Sequence, residues 1–167
     1  MRPWLWIILA VAACGCAGYK LGPTNGMVSG ARTVKFVPFV NHTQEPRVTE
    51  YLSTSLRKQL QQDGTFRLET HGTPDILVRG EITRFIRSGL SYQTNDVLTP
   101  SEYTLQLEAR LVAVDVGTGK TIINRTVLGT TYIRIGNDEY SDEREAIPIL
   151  TDTVARNAIS LLVDGQW

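Results

Sequence analysis

Gly119-Lys120-Thr121 closes the stretch VDVGTGKTII and matches the last three letters of a phosphate-binding loop. In that loop the lysine reaches the β/γ-phosphates and the hydroxyl holds magnesium. The motif also requires a glycine five positions before Gly119, where this chain has Val114. It requires a helix after Thr121 as well, so that the helix N-terminus meets phosphate. Thr121 instead opens a β-branched run, TIINRTVLGTTYIRI. Asp115, Gly117 and Gly119 are hairpin-turn residues, and the tripeptide is expected to belong to that turn.

Other reactive side chains are scattered. His42 and His71 lie beside loop residues without metal-ligand spacing. Serine, histidine and aspartate are present, but nothing resembles a nucleophile elbow or a Ser-x-x-Lys motif. Asp138-Glu139 and Asp142-Glu143 read as charges near a helix start. The sequence therefore predicts no catalytic residue, no metal and no cofactor. The arginines Arg79, Arg84, Arg87, Arg110, Arg125 and Arg134 are more informative, being spread over three predicted strands. Arg79 is out of phase with Val78, Gly80 and Ile82, and Arg110 points away from the face of Leu107, Ala109 and Leu111. Guanidinium groups are good bidentate partners for phosphate, so a helix-free sheet face carrying several of them would suit a phosphorylated amphiphile.

The amino terminus reads MRPWLWIILAVAACGC. One positive charge, an apolar run from Trp4 to Ala13 and then small residues give the order of a secretory signal peptide. The run is about half of the ~20 residues that a spanning helix needs. Both cysteines of the chain, Cys14 and Cys16, end this segment, which leaves no disulfide framework for the folded part. Apolar run, small residues, then cysteine resembles a bacterial lipobox, with acylation expected at Cys16 and Cys14 as the alternative. Several acyl chains on one cysteine would hold the protein firmly to a membrane. The expected organisation is a signal peptide over 1–15, a lipidated flexible tether over 16–32 rich in Gly, Pro, Ser and Asn, and one domain over 33–167.

Lysine plus arginine and aspartate plus glutamate number 17 each. With neither a basic excess nor a basic stripe, nucleic acid is not an expected partner. Removing the leader leaves about 150 residues, which bury roughly 68–70% of their unfolded surface and form a core without disulfides.

Hydrophobic periodicity supplies the elements. TVKFVPFVN (33–41) reads as a strand, with Pro38 marking an edge or an end. Val48, Leu52, Leu56 and Leu60 recur every four residues between Pro46 and Gly64, a helix with its start and stop. Phe66-Arg67-Leu68 is a short strand. ILVRGEITRFIRSGLSY (76–92) is a long one that slips phase at Arg84-Phe85, which predicts a bulge. Residues 93–101 read as a polar loop. YTLQLEARLVAVD (103–115) alternates without fault, a half-buried strand, and 121–135 is another strand. Ser141 opens a second helix with the stripe Ala146, Leu150, Val154, Ala158, Leu161 and Leu162, a stop at Gly165, and Pro148 as either a kink or a restart. The predicted fold class is α+β, a two-layer sandwich in which a mostly antiparallel sheet carries both helices on one face.

Several stretches in succession resemble one family. Cys16-Ala17-Gly18-Tyr19-Lys20-Leu21, KFVPFVNHTQEPRVTEYLSTSLRKQL, DILVRGEITRF, EYTLQLEARLVAVDVGTGKTI and SDEREAIPILTDTVARNAISLLVDGQW follow the order and spacing of the LPS-assembly lipoprotein family, LptE. The first strand and helix also resemble other envelope proteins, so the second half of the chain discriminates. The resemblance implies a noncatalytic lipoprotein of the outer membrane, facing the periplasm, its cysteine carrying palmitate-type acyl chains. It would plug the LptD β-barrel, assist its assembly and help deliver lipopolysaccharide to the outer leaflet. Lipid would sit on Cys16, and Arg79, Arg110 and Arg125 are the candidates for lipopolysaccharide phosphates. The competing expectation is a lipoprotein that regulates another partner, such as a peptidoglycan synthase or an export pore. A tether of about 16 residues favours a partner close to the membrane.

Overall fold

Leu105, Leu107, Ala109, Leu111 and Ala113 are each fully buried, so the alternating stripe over 103–115 faces the core. The computed structural model describes residues 29–93, 96–134 and 139–164, so the signal segment, both cysteines and most of the tether lie outside the described residues. In chain order the elements are β1 (Arg32–Phe36), β2 (Val40–Asn41), α1 (Arg47–Asp63), β3 (Phe66–Leu68), β4 (Ile76–Gln93), β5 (Asp96–Asp115), β6 (Thr121–Arg134) and α2 (Glu139–Asp164). The sheet order is β3-β1-β4-β5-β6, with β2 paired to β4 off that path. The long strands β4, β5 and β6 are antiparallel, while the short β1 pairs in parallel with both β3 and β4. The fold is the expected α+β arrangement, with α1 and α2 packed together on one face.

Local chemistry explains the boundaries. Asn41 Oδ1 accepts from the N–H and hydroxyl of Thr43, and Asn41 Nδ2 donates to the carbonyl of Glu45, which fixes the turn into α1. Val48, Leu52, Leu56 and Leu60 are the buried residues of α1. Gly64 ends it at φ 74, a left-handed conformation that favours glycine, and its N–H donates to the carbonyl of Leu60. A register shift between Ile82 and Arg84 leaves Thr83 as the extra residue of the expected bulge in β4. Beyond it the phase reverses: Phe85 and Arg87 move to the helix side, opposite Leu107 and Leu105.

Three boundaries differ from the sequence reading. The run 33–41 is two strands, because the chain leaves the ladder at Pro38, after a last bond from the Val37 N–H to the Val78 carbonyl, as a proline inside a strand predicts. Much of the segment 93–101, expected as a polar loop, is strand at the tip of the β4–β5 hairpin. Helix α2 begins at Glu139 and runs through Pro148 without a restart. Proline denies one N–H to the carbonyl of Arg144. The helix is retained because Ala146, Ile147, Leu150 and Val154 around that point are buried, and packing outweighs the loss of one bond.

Two features tie the layers together. On β6, a Cβ placed at Gly129 would stand 2.5 Å from Val154 Cγ2 and 3.0 Å from the carbonyl oxygen of Leu150. Helix α2 therefore lies directly on the β6 backbone. At the pole where the chain enters, Asp75 accepts from the N–H and hydroxyl of Thr33, at 2.7 and 2.8 Å. Asp115 accepts from the N–H and hydroxyl of Thr118 and from the Arg32 guanidinium. Hydrogen bonds from the Thr33 backbone and side chain hold Asp75 below its usual range, and those from Thr118 do the same for Asp115.

Gly129→Ala is expected to destabilise the domain by about 1–3 kcal/mol in denaturant unfolding, since α2 must lift off the sheet. Gly117→Ala, which meets only Asp115 Oδ1 at 3.5 Å, should stay within about 0.5 kcal/mol. For the carboxylates the folded state binds protons less readily than the unfolded state. Their stabilisation is thus present above the ordinary carboxylate range and lost as pH falls through about 4 and below. The denaturant midpoint is expected to drop between about pH 6 and about pH 3, and Asp75→Asn should flatten that drop; a midpoint level across this window would contradict the assignment.

Candidate functional site

The helices cover one face of the sheet, and the other is open to solvent. On that open face β4 presents Arg79 and Glu81, while β5 presents Arg110 and Val112. The register sets Arg79 opposite Val112 and Glu81 opposite Arg110, so the two arginines are diagonal neighbours. Together with Val37, Pro38 and Val40 from the β1–β2 corner, they line a groove of ≈ 410 Å³. The corner exists because Pro38 expels the chain from the ladder. Val37 and Val40 remain 39% and 55% exposed, an apolar wall beside two cations.

The arginines of the groove differ from three others on the long strands, which are paired with acids. Arg84 is paired with Glu108 at 2.8 Å, Arg87 with Glu143 at 2.8 Å, and Arg134 with Glu102 at 2.7 Å. Arg87 also lies 4.3 Å from the Tyr103 ring centre, on the helix side. Arg110 Nε donates to Asn124 Oδ1 at 3.0 Å and has no carboxylate partner among the described residues. Arg79 is exposed and, among the described residues, engages neither acid nor acceptor. Glu81, the cross-strand candidate to neutralise them, lies 3.8 Å from His42 Nε2. Two guanidinium groups outside any ion pair among the described residues, beside an apolar wall, suit an anion attached to a hydrocarbon, with the Glu81 carboxylate of the same lining opposing it.

Arg125, expected with these two, does not join them. Its partner in the ladder is Leu111, which places it on the helix-bearing side at the exposed edge of the sheet. Neighbouring Ile122 and Ile123 hide the phase of β6 in the sequence, and only pairing with β5 resolves it. The Gly119-Lys120-Thr121 segment is the expected turn. The Gly119 N–H donates to the Asp115 carbonyl, the Asp115 N–H to the Lys120 carbonyl, and β6 begins at Thr121. His71 shares a hydrogen bond with the Thr70 hydroxyl through Nδ1 and donates its backbone N–H to Glu69 Oε1, both on the surface. Among the described residues no group of three or more histidines, cysteines or acids is placed to hold a metal. Asp138 lies outside the described residues. The apolar rim at Val37 and Val40 was not legible as part of a site, because its exposure depends on where Pro38 breaks the strand.

Solved structures share this architecture. A Xanthomonas campestris protein superposes with a TM-score of 0.64 at 9% identity, covering 89% of this chain and 93% of that one. A hypothetical protein of Chlamydia trachomatis matches at 0.59 and 12% identity, over 80% of this chain and 97% of that one. A minor lipoprotein of Acinetobacter baumannii matches at 0.53 and 15%, over 80% and 93%. At such identities the likeness is one of fold. No curated protein sequence matches the chain. The family description "Lipopolysaccharide-assembly", LptE, matches residues 31–163, which takes in every element from β1 through nearly all of α2. By this match and the succession of its elements, the chain belongs to the LptE lipopolysaccharide-assembly family.

Proposed function

We propose that this protein is an outer-membrane lipoprotein, anchored through Cys16 and facing the periplasm, which works with an LptD-like β-barrel. In this reading it plugs and helps assemble the barrel and hands lipopolysaccharide towards the outer leaflet, without turnover of its own. The observation that carries it is that Arg79 and Arg110 stand in no ion pair among the described residues, beside Val37 and Val40. A phosphorylated glycolipid offers what suits that lining, an anion with hydrocarbon attached, and its phosphate must outcompete the Glu81 carboxylate there.

The position of the groove supports the same reading. Arg110 stands five residues from Asp115, the end of β5 at the pole where the chain enters. At about 3.4 Å per residue that is roughly 17 Å from the pole. The thirteen residues from Cys16 to Val28 would reach at most about 45 Å when fully extended. The groove thus stays within the membrane-proximal layer. A guanidinium–phosphate bond contributes about 1.5–3 kcal/mol, and two of them select strongly for a phosphate over a neutral lipid.

Arg79→Glu and Arg110→Glu are each expected to weaken lipopolysaccharide binding by the detergent-solubilised protein about tenfold or more, with an unchanged unfolding midpoint. Arg125→Glu, on the other face, should leave it unaltered. Binding that survives the double reversal would remove the groove from the account.

A further inference from the structure

The two edges of the sheet are treated differently. One is β3, only three residues long, continued by the outer side of β4 from Thr83 onward, where register shifts and the charges of Arg84 and Arg87 interrupt the edge. The other is β6, fourteen residues, TIINRTVLGTTYIR. Strand edges are usually protected by shortness, lysine, proline, bulges or a covering element. β6 is long, contains neither lysine nor proline, and carries only Arg125 and Arg134 as charges. Among the described residues no strand pairs with its outer side. Asn157 Nδ2 donates to the Leu128 carbonyl at 2.8 Å, so the main chain of Leu128 faces away from β5. By period two, Thr126 and Thr130 face the same way, and their N–H and C=O groups form an open row.

Apolar surface flanks this row on both sides. Leu128 is 50% and Tyr132 69% exposed on the helix-free side. On α2, Ile149, Thr153, Asn157 and Leu161 recur every four residues and share one face. Asn157 reaches the β6 edge from that face, and Ile149 and Leu161 are 60% and 37% exposed on it. The charges are selective. Arg134 is engaged by Glu102, whereas Arg125 is exposed and has no acid or acceptor among the described residues.

Geometry then chooses the occupant. Because α2 rests on Gly129, a second copy added antiparallel through β6 would bring its own α2 alongside on the same face. Strands pair about 4.8 Å apart, while packed helices need about 8–10 Å between axes. A lone extended segment meets no such obstacle. We infer that the free edge of β6 receives one extended segment of a partner protein by β-strand addition, with apolar residues at alternate positions and a carboxylate beside Arg125. The main-chain row supplies affinity, and the flanking apolar side chains with Arg125 set register and choice. This surface is separate from the Arg79–Arg110 groove.

The test uses the full-length chain in its native envelope, with a photo-reactive amino acid at Thr126 or at Thr130 in turn, and mapping of the cross-linked peptides. Both positions are expected to mark the same peptide of one partner, at residues about four apart, as a paired strand requires. Thr130→Pro, which removes an outward N–H, and Thr130→Lys, which charges the edge, should each abolish the adduct from Thr126 while the unfolding midpoint is kept. Arg125→Glu should reduce its yield several-fold. Adducts to a second copy, to residues 17–28 of the same chain or to lipid alone would overturn the inference. So would adducts without a constant register, adducts that persist in the folded Thr130→Lys variant, or no adduct at all. A barrel found with the protein but absent from these adducts would sink strand addition while leaving the lipopolysaccharide reading intact.

Discussion

All that the molecule offers to partners depends on the strict alternation of β5. Five successive inward positions, Leu105 to Ala113, lie beneath the helices with nothing exposed. Each fully buried leucine contributes about 1.5–3 kcal/mol of burial, and a one-residue slip would turn all of them to water. That penalty fixes the register of β4 on one side and of β6 on the other. It therefore dictates that Arg79 and Arg110 share the open face, and that Arg125 does not. The site is a by-product of core packing, positioned by residues that never touch it.

Much of the frame was legible because its signals are local. The four-residue spacing from Val48 to Leu60, the turn residues at Asp115 to Gly119, and the phase slip at Arg84-Phe85 each declare themselves within a short window. What was hidden depends on partners distant in sequence. The parallel pairing of β1 with β3 and β4 joins residues more than thirty apart, and nothing within TVKFVPFVN announces it. The hairpin tip reads as loop because its residues are polar, yet cross-strand pairing makes it a ribbon. Arg125 was ambiguous for the same reason. The half of the candidate site given by clean alternation, Arg79 and Arg110, was readable. The apolar wall at Val37 and Val40 and the face of Arg125 were not.

The two ends of the sheet give the fold a direction. At the entry pole, Asp75 and Asp115 clasp Thr33, Arg32 and the β5–β6 turn, so the chain enters the domain at a fixed point. The long hairpin of β4 and β5 projects away from it. Gly129 permits close seating of α2, and that seating disfavours antiparallel addition of a second copy through β6 while leaving the strand edge open. Membership of the lipopolysaccharide-assembly family fits such a domain. Its groove and its open strand edge are separate surfaces of that domain.

The most direct measurement is isolation of the full-length protein from its native membranes in mild detergent, with identification of whatever remains bound by mass spectrometry. A large β-barrel protein in stoichiometric amount is the result the account predicts. A peptidoglycan synthase in its place, or no barrel at all, would contradict it.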